Sequence, residues 1–251
     1  MFERARPVAV AMALGYVLAG FLVALAVGMA YGRWNKDPFQ QVPNWEQVLE
    51  QHARQAATFA FAYLLIFGLA VVALFFWLGV AGRARRGRHP TSATLGALFT
   101  SASLLALAGA AIWNGIVAPY AALLYGWTRD ETFQQALFGQ FITADFVFKF
   151  GVWCLILFGA VGLYFLGRAL RRERGWLPDV LKLAAALALL HVPMTLYLAR
   201  ESLRNNHYVR WVAVVNELLL WGGLAAATYF AAAYLRREAR NLYATRHLSK
   251  N

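Results

Sequence analysis

Apolar residues in this chain fall in long unbroken runs, not in narrow periodic stripes. Six stretches, at about 7–31, 55–80, 92–117, 141–166, 180–198 and 211–235, each hold no more than two charged residues. At a helical rise of about 1.5 Å per residue each one is long enough to cross a hydrocarbon layer of roughly 30 Å. Short segments rich in Arg, Pro and Gly separate them. Hydrocarbon offers no hydrogen-bonding partner to a backbone, so runs of this length read as helices. The expected fold is all-α: a polytopic integral membrane helical bundle of six transmembrane helices. It forms a single domain over residues 1–251, with no internal repeat of fixed period. The first run follows a basic start and is too long for a signal peptide, whose apolar region is only about 7–15 residues. It therefore counts as the first span.

Local signals set the expected boundaries. Asn44 with Gln47 three residues on resembles a capping box and follows Pro43. A helix is expected to start near Trp45 and to continue unbroken into the second span, its first three turns outside the hydrocarbon. Pro90 and Thr91 open the third span, and Pro119 is expected to break it. Thr128 with Glu131 makes a second capping box, which predicts a short outer interfacial helix at about 129–139. Pro178 and Asp179 open the fifth span.

Charge refines the picture by fixing an orientation. The chain carries 24 basic and 12 acidic residues, a formal charge of +12. Of the basic residues, 16 belong to the side that holds the N-terminus. They include Arg83, Arg85, Arg86 and Arg88 after the second span, Arg168, Arg171, Arg172 and Arg174 after the fourth, and Arg236, Arg237 and Arg240 after the sixth. Only seven belong to the opposite side. Positive charge is retained in the cytoplasm, so both termini are expected inside, in what reads as a bacterial plasma (inner) membrane. The same asymmetry predicts contact with anionic lipid and removes the need for a nucleic-acid surface.

The polar residues inside the spans are the candidate chemistry. Asn114, Lys149, His191 and Glu217 stand within apolar runs, where an ionisable group is costly and marks a functional hypothesis. Lys149, His191 and Glu217 are expected about 10–14 Å below the outer surface. Asp145 and Lys149 are four residues apart and can pair on one helix face, with Trp153 one turn further on. Trp221 follows Glu217 by the same spacing. Pro193, two residues after His191, leaves the carbonyl of Leu189 without its usual helical donor. Structural readings compete at each position. Asp145 with Lys149 serves equally as a self-neutralised pair, His191 as an interhelical hydrogen-bonding residue and Asn114 as interhelical glue. Glu217 resists the structural reading most, because a carboxylate two turns deep must be protonated, paired or hydrated. Arg200, Arg204 and Arg210 on the outer loop are candidate contacts for an anionic group, or snorkelling headgroup contacts.

Several chemistries lack their residues. His191 is the one histidine well inside a span, so a bis-histidine haem held by this chain alone is not expected. Single axial ligation of a haem or a chlorophyll-type pigment by His191 stays open. No di-metal or zinc pattern occurs within a span, so no metal site is assigned. Cys154 is alone, which excludes an internal disulfide. No nucleotide-binding loop or nucleophile motif is present, and no motif decides whether the chain is an enzyme.

Three functional classes compete on these residues. The favoured one is a membrane subunit of a larger energy-transducing, respiratory or redox complex with other membrane subunits as partners, contributing a quinone or proton-relay site in the outer half of the bilayer to electron transport. The second is a small ion-coupled secondary transporter using Asp145, Lys149 and Glu217. The third is an enzyme acting on a lipid phosphate at the outer face through Arg200, Arg204 and Arg210.

Overall fold

The computed structural model describes residues 45–171, 176–202 and 208–248. All regular structure in these residues is helical: α1 (Trp45–Arg54), α2 (Ala56–Ala84), α3 (Pro90–Trp127), α4 (Glu131–Ala169), α5 (Leu177–Ser202) and α6 (Val209–Leu248). Each of α2 to α6 contains a segment long and apolar enough to cross a membrane. The protein is thus an all-helical integral membrane protein, with five such helices among the described residues. The expected first span, 7–31, lies outside them.

Three boundary expectations change. The helix starting at Trp45 is not continuous with the second span, because a turn at Gln55 separates α1 from α2. Pro119 does not break its helix. α3 runs through it to Trp127, since a proline removes one donor, from the carbonyl of Gly115, and neighbouring helical bonds carry the backbone on. Nor is there a separate interfacial helix at 129–139. Glu131–Ala169 is a single helix of 39 residues, about 58 Å long and well beyond the roughly 30 Å of hydrocarbon. Its cap is Asp130 instead of Thr128. The Asp130 Oδ1 accepts from the backbone N–H groups of Thr132 at 2.9 Å and Phe133 at 3.2 Å. Thr128 Oγ1 accepts from the Asp130 N–H, and Gln134 Nε2 donates back to the Thr128 carbonyl at 2.9 Å.

The chain divides into two compact units. The first holds the described residues up to Phe75 together with Phe99–Gly159. Here α3 and α4 approach through glycine. A Cβ on Gly151 would stand 2.5 Å from the Ala110 Cβ and 3.2 Å from the Ala106 carbonyl, and one on Gly115 would stand 2.8 Å from the Tyr63 Cβ of α2. At these positions the missing side chain is what admits the neighbouring helix. Leu49 of α1 is fully buried against Ala118, Ala121 and Ala122 of α3 and Leu137, Phe141 and Ala144 of α4. Glu50 and Arg54 of α1 pair with each other on its exposed side.

The second unit holds Phe76–Leu98 and the described residues from Ala160 onward. α5 and α6 form an antiparallel hairpin. Small residues set its spacing: a Cβ on Gly223 would stand 3.1 Å from Leu187 Cδ1 and 3.5 Å from Ala184 Cα. Leu198, Val209 and Ala213 close the end near the connecting loop. At the opposite end Arg83 of α2 gives two hydrogen bonds, from Nε and an Nη, to one carboxylate oxygen of Glu238 on α6. Both side chains are about one-fifth exposed, so the ion pair ties the two helices where each leaves its apolar stretch.

Candidate functional site

The hairpin places His191 and Glu217 side by side. One helix brings His191 about three turns in from the end of α5, the other brings Glu217 about two turns in from the start of α6, and antiparallel packing sets them beside each other. His191 Nε2 stands 3.6 Å from Glu217 Oε1. That is longer than a hydrogen bond of about 2.7–3.2 Å, but close enough for the imidazole and the carboxyl group to interact electrostatically. His191 is buried and Glu217 mostly so, with 7% and 14% of their side-chain surface exposed. The other carboxylate oxygen of Glu217 accepts from Trp221 Nε1 at 3.2 Å, one helical turn on. His191 Nδ1 is buried and has no hydrogen-bond partner among the described residues.

Two further residues frame this pair. Thr195 Oγ1 donates to the His191 carbonyl at 2.8 Å and accepts from Asn216 Nδ2 of α6 at 3.2 Å. The hydroxyl therefore links the helices beside the pair and anchors the backbone that carries the imidazole. Sequence reasoning passed over Thr195 and Asn216. Both leave a signal, since Thr195 follows His191 by one turn and Asn216 adjoins Glu217. Nearer the loop, the phenolic oxygens of Tyr197 and Tyr208 are 3.2 Å apart across the hairpin.

The remaining candidates within the spans belong to the first unit. Lys149 donates to Asp145 one turn away, with its side chain 61% exposed and that of Asp145 32% exposed. The ring found beneath its ammonium is Phe146, at 5.9 Å. Asn114 is fully buried and lies near the Tyr63 phenol. Its Oδ1 has no partner among the described residues. Asp145 lies near the same phenol. Tyr63 was not singled out from sequence, because a tyrosine in an apolar run is ordinary there. What distinguishes it is Gly115, which lets α3 close onto it. Cys154 is a buried free thiol. Arg204 lies outside the described residues, as do the side chains of Arg200 and Arg210.

Chemically, an imidazole facing a carboxyl group can share one proton between two neutral arrangements. Neutral imidazole with protonated carboxyl, and imidazolium with carboxylate, both carry zero net charge and differ by the shift of one proton. Either is tolerable where an isolated charge is not. Adding or removing a proton leaves a net charge among apolar side chains, which must be compensated from elsewhere. Comparison with protein family models, curated proteins and solved structures finds no match to this chain.

Proposed function

We propose that this protein is a membrane subunit of an energy-transducing complex, in which His191 and Glu217 take up and pass on a proton. The observation that supports this most is an imidazole and a carboxyl group 3.6 Å apart on facing helices, both with little exposed surface. A pair that only held helices together would be served by neutral hydrogen bonds, such as that between Asn216 and Thr195. Imidazole and carboxyl groups are the side chains whose proton affinities environment can bring towards neutrality. Trp221 steadies one carboxylate oxygen while the other faces the imidazole. A quinone head group is the redox partner that suits this setting, because its reduction is coupled to proton uptake and it is soluble in the bilayer. In the same reading the chain has six spans, both termini in the cytoplasm and a place in a bacterial inner membrane, with the proton site in the outer half of the bilayer.

The test is gentle purification of a tagged chain from its native membrane, followed by identification of co-purifying subunits and a quinone-linked redox assay. Cytochrome or iron–sulfur subunits should accompany it. Glu217→Gln should leave the complex assembled and slow proton-coupled turnover by about 10²–10⁴-fold, the range for loss of a positioned proton-transfer group. A chain that purifies alone, monodisperse and active, or a Glu217→Gln complex with full turnover, would sink the proposal.

A further inference from the structure

At the corner between α4 and α5, away from the His191–Glu217 pair, a cavity of about 330 Å³ is lined by Tyr164, Arg168, Arg171 and Lys182. Tyr164 and Arg168 are one turn apart on α4, Arg171 lies in the turn that follows it, and Lys182 comes from the second turn of α5. Gly167 brings the two helices together here. A Cβ on it would stand 2.9 Å from the Pro178 carbonyl and 3.1 Å from Lys182 Cγ. The cavity thus depends on a close approach that only glycine permits.

Its lining contains three cations and a phenol but no carboxylate. Among the described residues, neither Arg168 nor Arg171 has an acidic partner. The Lys182 ammonium is 3.8 Å from Asp179, whose side chain is 77% exposed. Basic residues following a span are accounted for by topology alone. Topology does not explain why three of them surround one cavity, where they repel each other unless an anion lies between them. The surroundings say which anion. Towards the middle of the span the α5 side of the cavity continues into Ala186, Leu189 and Leu190, all exposed, and the α4 side into Val161 below the half-exposed ring of Tyr164. Cationic at the end of the helices and apolar along them, the site has the profile of a phospholipid.

We infer that this corner binds the phosphate of an anionic phospholipid, held by Arg168, Arg171 and Lys182, with its acyl chains along the apolar flanks. Arg supplies paired donors that match phosphate oxygens, and the Lys182 ammonium closes the third side. In the orientation proposed above this is the cytoplasmic leaflet, although the site does not depend on that assignment.

The full-length protein in detergent would be titrated with phosphatidylglycerol, phosphatidylcholine or inorganic phosphate, and bound lipid counted by native mass spectrometry. Phosphatidylglycerol should bind saturably and more tightly than phosphatidylcholine. Each charge removed should weaken it roughly fivefold, so Lys182→Gln loses about fivefold and Arg168→Gln/Arg171→Gln about twenty-five-fold. Arg85→Gln/Arg86→Gln, on the turn between α2 and α3, should bind like the unsubstituted protein. Equal losses in that control would show diffuse surface charge and overturn the site, as would unchanged affinity in Lys182→Gln. Saturable phosphate binding without preference for phosphatidylglycerol would make it a free-phosphate site and overturn the lipid assignment. Should the double arginine variant fail to fold, Lys182→Gln and the charge-keeping Arg168→Lys/Arg171→Lys, expected to retain most of the binding, still decide the question.

Discussion

Glu217 shows how much a single side chain can demand of its surroundings. One of its oxygens faces His191 and the other accepts from Trp221. Two substitutions separate its charge from its shape. Glu217→Gln keeps an oxygen to accept from the indole and should change stability little. Glu217→Leu leaves both the indole N–H and the imidazole without it, and should cost about 1–3 kcal/mol. Reversible unfolding in mixed micelles would measure both, and equal losses would show that the carboxylate's hydrogen bonding is irrelevant to the fold. Glu217 was legible as a candidate from its place in an apolar run, since hydrocarbon makes any carboxylate conspicuous. Its partner was legible only as one of two choices on depth, Lys149 or His191. The ammonium of Lys149 is taken up by Asp145 on its own helix, and the imidazole is the group that meets Glu217 across the hairpin.

Helices hydrophobic on every side announce that they are buried in something without saying which face meets protein. Small residues decide it. Gly151 lies against Ala110, whereas Gly139 on the same helix has open space around it. Gly151→Val should therefore cost about 1–3 kcal/mol by forcing α3 and α4 apart, while Gly139→Ala should be neutral or slightly stabilising through helix propensity. Thermal unfolding of the two variants in one detergent would distinguish them, and equal Tm values would show that the close approach carries no energy. Helix ends were the least legible feature. Thr128 and Glu131 fit a capping box by spacing, yet Asp130 takes the cap because a carboxylate two residues later reaches the Thr132 and Phe133 N–H groups directly. Asp130→Ala should cost about 0.5–2 kcal/mol and should speed hydrogen exchange at those two amides. Unchanged exchange there would show that the cap is dispensable.

On the scale of the whole molecule the distribution of arginines carries the proposed orientation. On a Cys154→Ala background, Thr128→Cys should react with a membrane-impermeant thiol reagent added to intact cells, and Arg86→Cys should react only after the cells are broken. The opposite pattern would invert the topology. Large apolar side chains remain exposed along single helix faces, among them Phe61, Leu65, Leu69 and Phe75 on α2, and Ile116, Tyr120 and Trp127 on α3. In water such faces would be a liability. In a bilayer they are the solvent-facing surface.

The sequence by itself determined that this is a helical membrane protein. It also marked where the apolar runs lie and which few polar residues are costly inside them, because hydrocarbon penalises charge and unpaired backbone so heavily that composition alone records it. Only the tertiary structure decided which polar groups meet. Pairing depends on the rotation and closeness of neighbouring helices, and these are set by where a glycine or alanine lets one backbone approach another. His191 faces Glu217 because α5 and α6 close through Gly223 and Ala184. Arg168, Arg171 and Lys182 share a cavity because Gly167 lets α4 and α5 meet at their corner.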